Sequence, residues 1–328
     1  MTHSAFVTGA SGFVGSHIVR ELHRQGWAVH VLARPTSSLE ELGDTPVTVH
    51  VGDVGDAASL RAAVPQGVDA VFHVAASTNL WSKNNAQQSR VNVEGTRNLL
   101  AAAKSVGAGR FVHTSSFVAW GLQDAVLTED SPRSDASDWI NYIRTKHLSE
   151  RMVLEAAGNG SIDAVLLNPG NVLGPGDRRN WSRLFRMVNE KSLPGAPSGG
   201  GNFCDVREVA RAHVCAWHRG QSGHRYLLGG EFASYLQVIK LAGKLMQAPV
   251  PVKPTPAWLL AIVARIQNTI ATISGKEPSL TPEAAAITAH NIRCDSSKAE
   301  QELEYRAVPL HTLVEDTVKW MTEKGLLR

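Results

Sequence analysis

The sequence predicts an α/β protein, a doubly wound parallel sheet with a smaller, mostly helical part after it. Three observations predict this. Short apolar runs alternate with helical patterns through the first half of the chain. A glycine triplet stands where the first run meets the first helical pattern. After Asn168 the texture changes, with Pro and Gly clustered at 169–176 and 194–201 and helical patterns beyond.

Taken in order, 5–8 reads as a strand and 12–25 as a helix closed by Gly26. Strands follow at 28–33 and 47–51, with a short helix near 57–63. A fourth strand spans 70–75, and a long helix 89–104. The fifth strand is 110–115, the next helix 139–157 and the sixth strand 164–167. These strands are nearly unbroken apolar runs, as a sheet covered by helices on both faces requires. Their alternation with helices implies right-handed crossovers. Helices are then expected at 205–219, 236–246, 256–273, 282–290 and 310–324. Residues 1–171 form the expected Rossmann-type dinucleotide domain, with 203–232 returning to it. Residues 172–202 and 233–328 form the expected substrate part, packed at the carboxyl edge of the sheet, where ligands of open sheets bind.

Bulk properties exclude several classes. A formal charge of +3 with no basic stripe argues against nucleic acid. Cys204, Cys215 and Cys294 lie far apart without metal-ligand spacing, so no metal site is expected. As buried reduced thiols they fit a cytoplasmic setting. No apolar stretch reads as an integral membrane span, the nearest being 258–273, broken by Arg265, Gln267 and Asn268. That segment reads as an amphipathic helix packed on its own domain, or as a lid or membrane-surface contact.

The first turn reads Thr8-Gly9-Ala10-Ser11-Gly12-Phe13-Val14-Gly15. Gly9 permits the tight turn, Gly12 lets backbone approach a pyrophosphate, and Gly15 lets helix pack on strand. The backbone N–H groups around Ser11, Phe13 and Val14 open a helix whose positive end suits phosphate. At the end of the second strand no acid stands to hold a ribose 2′-hydroxyl. Arg34 is there instead, with Ser37 close by, and suits a 2′-phosphate. NADP(H) is therefore the expected cofactor, with NAD(H) the alternative. Asp53 and Val54 end the third strand beside the expected adenine. Ala75, Ala76 and Ser77, after the fourth, give the cofactor room.

Thr114-Ser115-Ser116 closes the fifth strand, and Tyr142 and Lys146 share a helix face at i, i+4. Tyr142 is the expected proton donor, Ser116 the group that orients a carbonyl, and Lys146 the holder of the ribose hydroxyls. A nearby ammonium and the positive nicotinamide of the oxidised cofactor are both expected to favour phenolate, and lowering the phenol by about three units is worth about 4 kcal/mol.

With these residues in hand, the chain resembles the extended short-chain dehydrogenases/reductases. The resemblance rests on TGASGFVG at 8–15, GDV at 52–54, HVAA at 73–76, VNVEGT at 91–96, TSS at 114–116, YIRTK at 142–146, NPGNVLGPGD at 168–177 and FCDVREVARAH at 203–213. Within that group it looks like the branch of dihydroflavonol 4-reductases, cinnamoyl-CoA reductases and 3β-hydroxysteroid dehydrogenases. The resemblance implies a Ser116–Tyr142–Lys146 triad and a supporting structural or proton-relay role for Asn92. It implies that Pro169, Gly170 and Val172 line the nicotinamide, and that Asn171, Arg178 and Arg207 face substrate. It also implies a homodimer through two helices per subunit, here 89–104 and 139–157. Phe117-Val118 replaces the acid pair of sugar dehydratases, and Asn168 replaces a frequent Arg, which argues against a standard nucleotide-sugar site.

Eight Trp stand against eight Phe and four Tyr. Trp81, Trp120, Trp139 and Trp181 fall near segments expected at the cleft, and with Phe117 they suggest an apolar or aromatic substrate. The leading expectation is NADP(H)-dependent interconversion of a bulky carbonyl compound and its alcohol. The alternatives are a nucleotide-sugar epimerase with tightly bound NAD and a non-catalytic NADP-sensing regulator.

Overall fold

The computed structural model describes residues 2–327. Strand β1 (Ser4–Thr8) runs into helix α1 (Phe13–Arg24), then β2 (Ala28–Ala33) and β3 (Thr48–Val51). Helix α2 (Ala57–Ala63) returns to β4 (Ala70–His73). Helices α3 (Asn85–Ser89) and α4 (Gly95–Ser105) lead to β5 (Arg110–Thr114) and the two-residue β6 (Val126–Leu127). Helix α5 (Asn141–Gly158) precedes β7 (Ala164–Pro169) and β8 (Asn171–Leu173). Then come α6 (Trp181–Asn189), β9 (Gly200–Asp205), α7 (Val206–Arg219), β10 (Arg225–Leu228) and β11 (Phe232–Ser234). Helices α8 (Tyr235–Leu245), α9 (Ala257–Ser274) and α10 (Pro282–Ala289) follow. Strand β12 (Asn291–Cys294), α11 (Ser297–Leu303) and α12 (Leu310–Glu323) complete the chain.

Seven strands form one sheet in the order β10-β7-β5-β4-β1-β2-β3, and every pairing in it is parallel. The order reverses beside β1, so the crevice at the carboxyl ends of β1, β4 and β5 is where this topology places a ligand. Two apolar layers cover the sheet. One sets Ile18, Val19 and Leu22 of α1 and Val209 of α7 on Val7 and Phe72. The other sets Leu99 of α4 and Val153 of α5 on Phe6, Val71 and Phe111. A third cluster joins α6, α8 and α12 around Phe185, Tyr235 and Leu313.

Three features differ from the sequence reading. The helix expected at 89–104 is broken by a π-helical turn at Arg90–Glu94, which turns Asn92 inward. A second sheet, β11-β9-β12-β6 with β8 on β9, draws every strand but β6 from beyond Asn168. Its strands are short and paired across long separations, as Gly200 is with Asn291, so local periodicity carried no trace of them. Helix α9, among the described residues, is long and apolar enough by length and composition to cross a membrane. Its Leu260, Ala264 and Ala271 are nevertheless buried against the protein.

The parallel sheet buries imidazoles as neutral rings. His73 on β4 and His113 on β5 pair in register, with ring centroids 5.3 Å apart. Burial pulls His73 down to about 3 and His213 of α7 to about 4, and holds His113 well below its ordinary range. The unfolded chain takes up these protons near 6.5, whereas the folded chain resists until about 4 or lower. Stability is therefore full above 6.5 and is lost as pH falls below it. The melting temperature should drop as pH is lowered from 6.5 toward 4, and His113→Leu should flatten the slope. A melting temperature constant over that window contradicts this.

Candidate active site

The glycine turn has the geometry its residues require. Gly9 has φ +76°, and a Cβ there would lie 2.6 Å from the backbone nitrogen of Ala75. A Cβ on Gly15 would lie 2.1 Å from the Gly9 carbonyl oxygen. Any larger residue would thus push β4 or α1 away from β1. Helix α1 starts at Gly12 with no side-chain cap, so its first-turn N–H groups, from Phe13 and Val14 onward, lack a helical partner. Ser11 is half-buried beside this end. An uncapped helix end in a glycine cradle suits a pyrophosphate.

A buried chain of hydrogen bonds fixes the β4 end against that turn. Thr96 gives its hydroxyl proton to the Asn92 carbonyl at 2.7 Å, so it accepts from His73 Nε2 at 2.9 Å. His73 Nδ1 then accepts from the Thr8 hydroxyl at 2.9 Å, and Thr8 Oγ1 accepts the Ala75 N–H at 3.3 Å. Beyond Ala75 and Ala76, the Ser77 backbone is clasped from both sides. Asn92 Oδ1 accepts its N–H at 2.7 Å, and Asn92 Nδ2 donates to its carbonyl at 3.0 Å and to Thr145 at 3.1 Å. Asn92 is therefore a positioning residue that ties the loop to α5. Gln88 and Asn141, both buried, extend the network, with Gln88 donating to the Ser77 and Asn79 carbonyls. Neither was singled out from sequence. Short amides on helices carry no signal until their partners are known.

At the end of β2, Arg34 is exposed, and its guanidinium has no ion-pair partner among the described residues. Ser37 accepts the Arg34 N–H and shapes the turn. Asp53 accepts the Gly55 N–H at 2.7 Å and lies 4.0 Å from Arg90. Val54 is buried, its carbonyl taken by Asn98. The residues present thus suit a dinucleotide at the phosphate, ribose and adenine ends.

Ser116, Tyr142 and Lys146 converge at the carboxyl end of β5. Ser116 begins a 3-10 turn at Phe117–Trp120 and accepts the Val118 N–H at 3.4 Å. Lys146, 4% exposed, donates through Nζ to the Thr114 carbonyl at 3.0 Å. Burial lowers it to about 8, while Glu150, one turn along α5, pushes it back up. Glu150 is itself buried and held above its ordinary range by desolvation. Arg225 stands 3.8 Å away, and Asn168 donates to Glu150 and, at 3.1 Å, to the Ser116 carbonyl. The Thr114 hydroxyl pairs with His213 Nε2 at 2.8 Å.

Tyr142 corrects one expectation. Its ring is partly accessible, but crowding around the hydroxyl pushes it up to about 12, while Ser116 pulls slightly the other way. Lys146 donates its hydrogen bond to the Thr114 carbonyl and not to the phenol. Tyr142 is left as a firmly protonated acid beside Ser116.

Several residues expected at a substrate are engaged with other side chains. Arg178 pairs with Glu41, and Arg207 with Asp205 and, at 2.5 Å, Asp316, because those carboxylates already face them. Trp181 stacks on Tyr235 at 5.7 Å within the third cluster. Trp120 is buried under Arg225, whose guanidinium carbon lies 4.6 Å from its ring, and Trp139 is 56% exposed. Phe117 is buried in a cluster that also packs Tyr142. Trp81 alone keeps to the loop near Ser77, its Nε1 donating to Asn268 of α9 at 3.2 Å. Pro169 is buried, Gly170 donates to Leu228 at 2.9 Å, and Val172 is half-buried on β8. The Asn171 amide nitrogen is buried and faces the Tyr235 hydroxyl.

The fold and this geometry define a dinucleotide-binding α/β protein with a Ser-Tyr-Lys cluster at its switch point. Residues 5–229 match the NAD dependent epimerase/dehydratase family, and the chain belongs to it, among the extended short-chain dehydrogenases/reductases. It is 33% identical to a putative dihydroflavonol 4-reductase of Synechocystis over all of this chain and 97% of that one. It is 34% identical to cinnamoyl-CoA reductase 1 of Oryza sativa over 73% of this chain and 75% of that one. A crystal structure titled gox2253 superposes with TM-score 0.86 at 30% identity, covering both chains completely.

Proposed function

We propose that the protein is an NADP(H)-dependent reductase that interconverts a bulky, apolar or aromatic ketone or aldehyde and its alcohol. The observation that carries this is the meeting of the Tyr142 phenol with the Ser116 hydroxyl at the end of β5, one helical turn from the Lys146 ammonium. Its relatives named as reductases support the reaction type, and two of those names contain aromatic substrates. With Trp120, Trp139 and Trp181 engaged elsewhere, the aromatic character rests on those relatives and not on the Trp content.

In this reading the glycine turn would hold the dinucleotide, which when bound would supply the hydride for the carbonyl carbon. Phe13 and Val14 N–H groups would hold the phosphates, Arg34 and Ser37 the 2′-phosphate, Asp53 the adenine amino group and Lys146 the nicotinamide ribose. Ser116 donates a hydrogen bond to the substrate oxygen and orients it. Tyr142 gives its proton to that same oxygen. A phenol near 12 keeps its proton at neutral pH but yields it to an alkoxide, which is a far stronger base. The Lys146 charge then stabilises the phenolate, which solvent reprotonates.

Purified protein should oxidise NADPH with bulky aromatic or alicyclic carbonyl compounds. Arg34→Ala should raise KM for NADPH by about tenfold or more and leave NADH use unchanged. Equal efficiency with NADH that Arg34→Ala does not alter would refute the NADP assignment. Turnover of UDP-sugars alone, with NAD co-purifying, would refute the reductase.

Lys146 keeps its charge only below about 8, so reduction should slow as pH rises through that value. Glu150→Gln removes the charge that supports it and should move this alkaline limb to lower pH. An unmoved limb shows that Glu150 does not tune Lys146.

A further inference from the structure

Helix α9 carries an apolar face that nothing among the described residues covers. Trp258, Ile262, Ile266, Ile270 and Ile273 are spaced three or four apart and are 66%, 44%, 57%, 59% and 86% exposed. At a helical period they fall on one side, opposite the buried Leu260, Ala264 and Ala271. Of twelve large apolar side chains exposed among the described residues, eight lie between Leu245 and Ile273. Scattered surface apolar residues need no explanation, but a stripe along a whole helix does.

The same segment is charged in one sense only. No Asp or Glu occurs between Glu231 and Glu277, while Lys240, Lys244, Lys253, Arg265 and Lys276 all fall there. All five are exposed, and none has an ion-pair partner among the described residues. The helix is fastened along another edge, by Trp81 to Asn268 at 3.2 Å and, just past its end, by Asn79 to Glu277 at 3.1 Å. Its stripe therefore stays turned outward.

We infer that α9 docks this protein flat onto an anionic lipid surface, with the stripe in the headgroup–acyl boundary and the lysines on lipid phosphates. The charges favour an anionic occupant over a second copy. A two-fold interface here would set Arg265 of α9, and Lys253 and Lys276 just beyond its two ends, against their own copies. An anionic bilayer answers both features together, and Trp258 at the helix start suits the interface. The buried face at Leu260, Ala264 and Ala271 keeps the helix on the body of the protein, so it lies on the membrane and does not cross it. The inference is independent of the chemistry at Tyr142.

Flotation of the full chain with phosphatidylcholine vesicles, with and without phosphatidylglycerol, tests this. Binding should need phosphatidylglycerol and weaken as salt is raised. Ile266→Ser with Ile270→Ser should cut binding by about tenfold or more, and Lys253→Ala by roughly fivefold. Both positions are exposed, so the melting temperature should hold, which separates lost docking from lost folding. Failure to bind anionic vesicles at low salt would overturn the inference. So would equal, salt-insensitive binding to phosphatidylcholine alone. A dimer by light scattering that the isoleucine variant dissociates would overturn it in favour of a second copy.

Discussion

The site is organised around one buried ammonium. Lys146 sits where water cannot solvate it, so protein groups must carry its charge. The Thr114 carbonyl accepts one of its protons at 3.0 Å, and Glu150 supplies the opposing charge from the same helix. Glu150 must then be satisfied in its turn, by Asn168 from β7 and Arg225 from β10. Three neighbouring strands, β5, β7 and β10, are thereby tied to one face of α5. Tyr142, a turn away on that helix, is aimed as a consequence. Breaking one partner of such a buried cluster costs more than the pair contributes in place, which makes the arrangement all-or-none.

The opposite wall follows from contact distance. Gly9 and Gly15 remove the only atoms that would separate β1 from the Ala75 backbone and from α1. The Thr8–His73–Thr96 chain then fixes β4 at that distance, and Asn92 carries the restraint on to Ser77 and Thr145. Both walls of the crevice thus meet at α5. The neutral His73 belongs to this logic, since a charged ring beside Lys146 would repel it.

Much of this was legible in the sequence. The long parallel strands are apolar runs, and the glycine spacing and the Tyr142–Lys146 repeat are local patterns. What was not legible depends on partners distant in the chain. Arg178 and Arg207 read as free cations until Glu41, Asp205 and Asp316 stand beside them. Glu150 reads as a surface acid until α5 turns it inward onto Asn168. The small second sheet pairs residues as far apart as Val126 and Arg293, mostly through strands too short to show a period. The rise of Tyr142 toward 12 was missed because burial, a tertiary quantity, outweighed a charge inferred from helical spacing.

The central claim is that Tyr142 is the acid and that Lys146 and Ser116 only serve it. Tyr142→Phe removes one oxygen from a partly accessible ring and leaves the glycine turn intact. NADPH affinity, read by quenching of protein fluorescence, should stay within about twofold of the parent, while single-turnover reduction should fall by about a thousandfold. Single-turnover rates that survive the substitution would contradict the account.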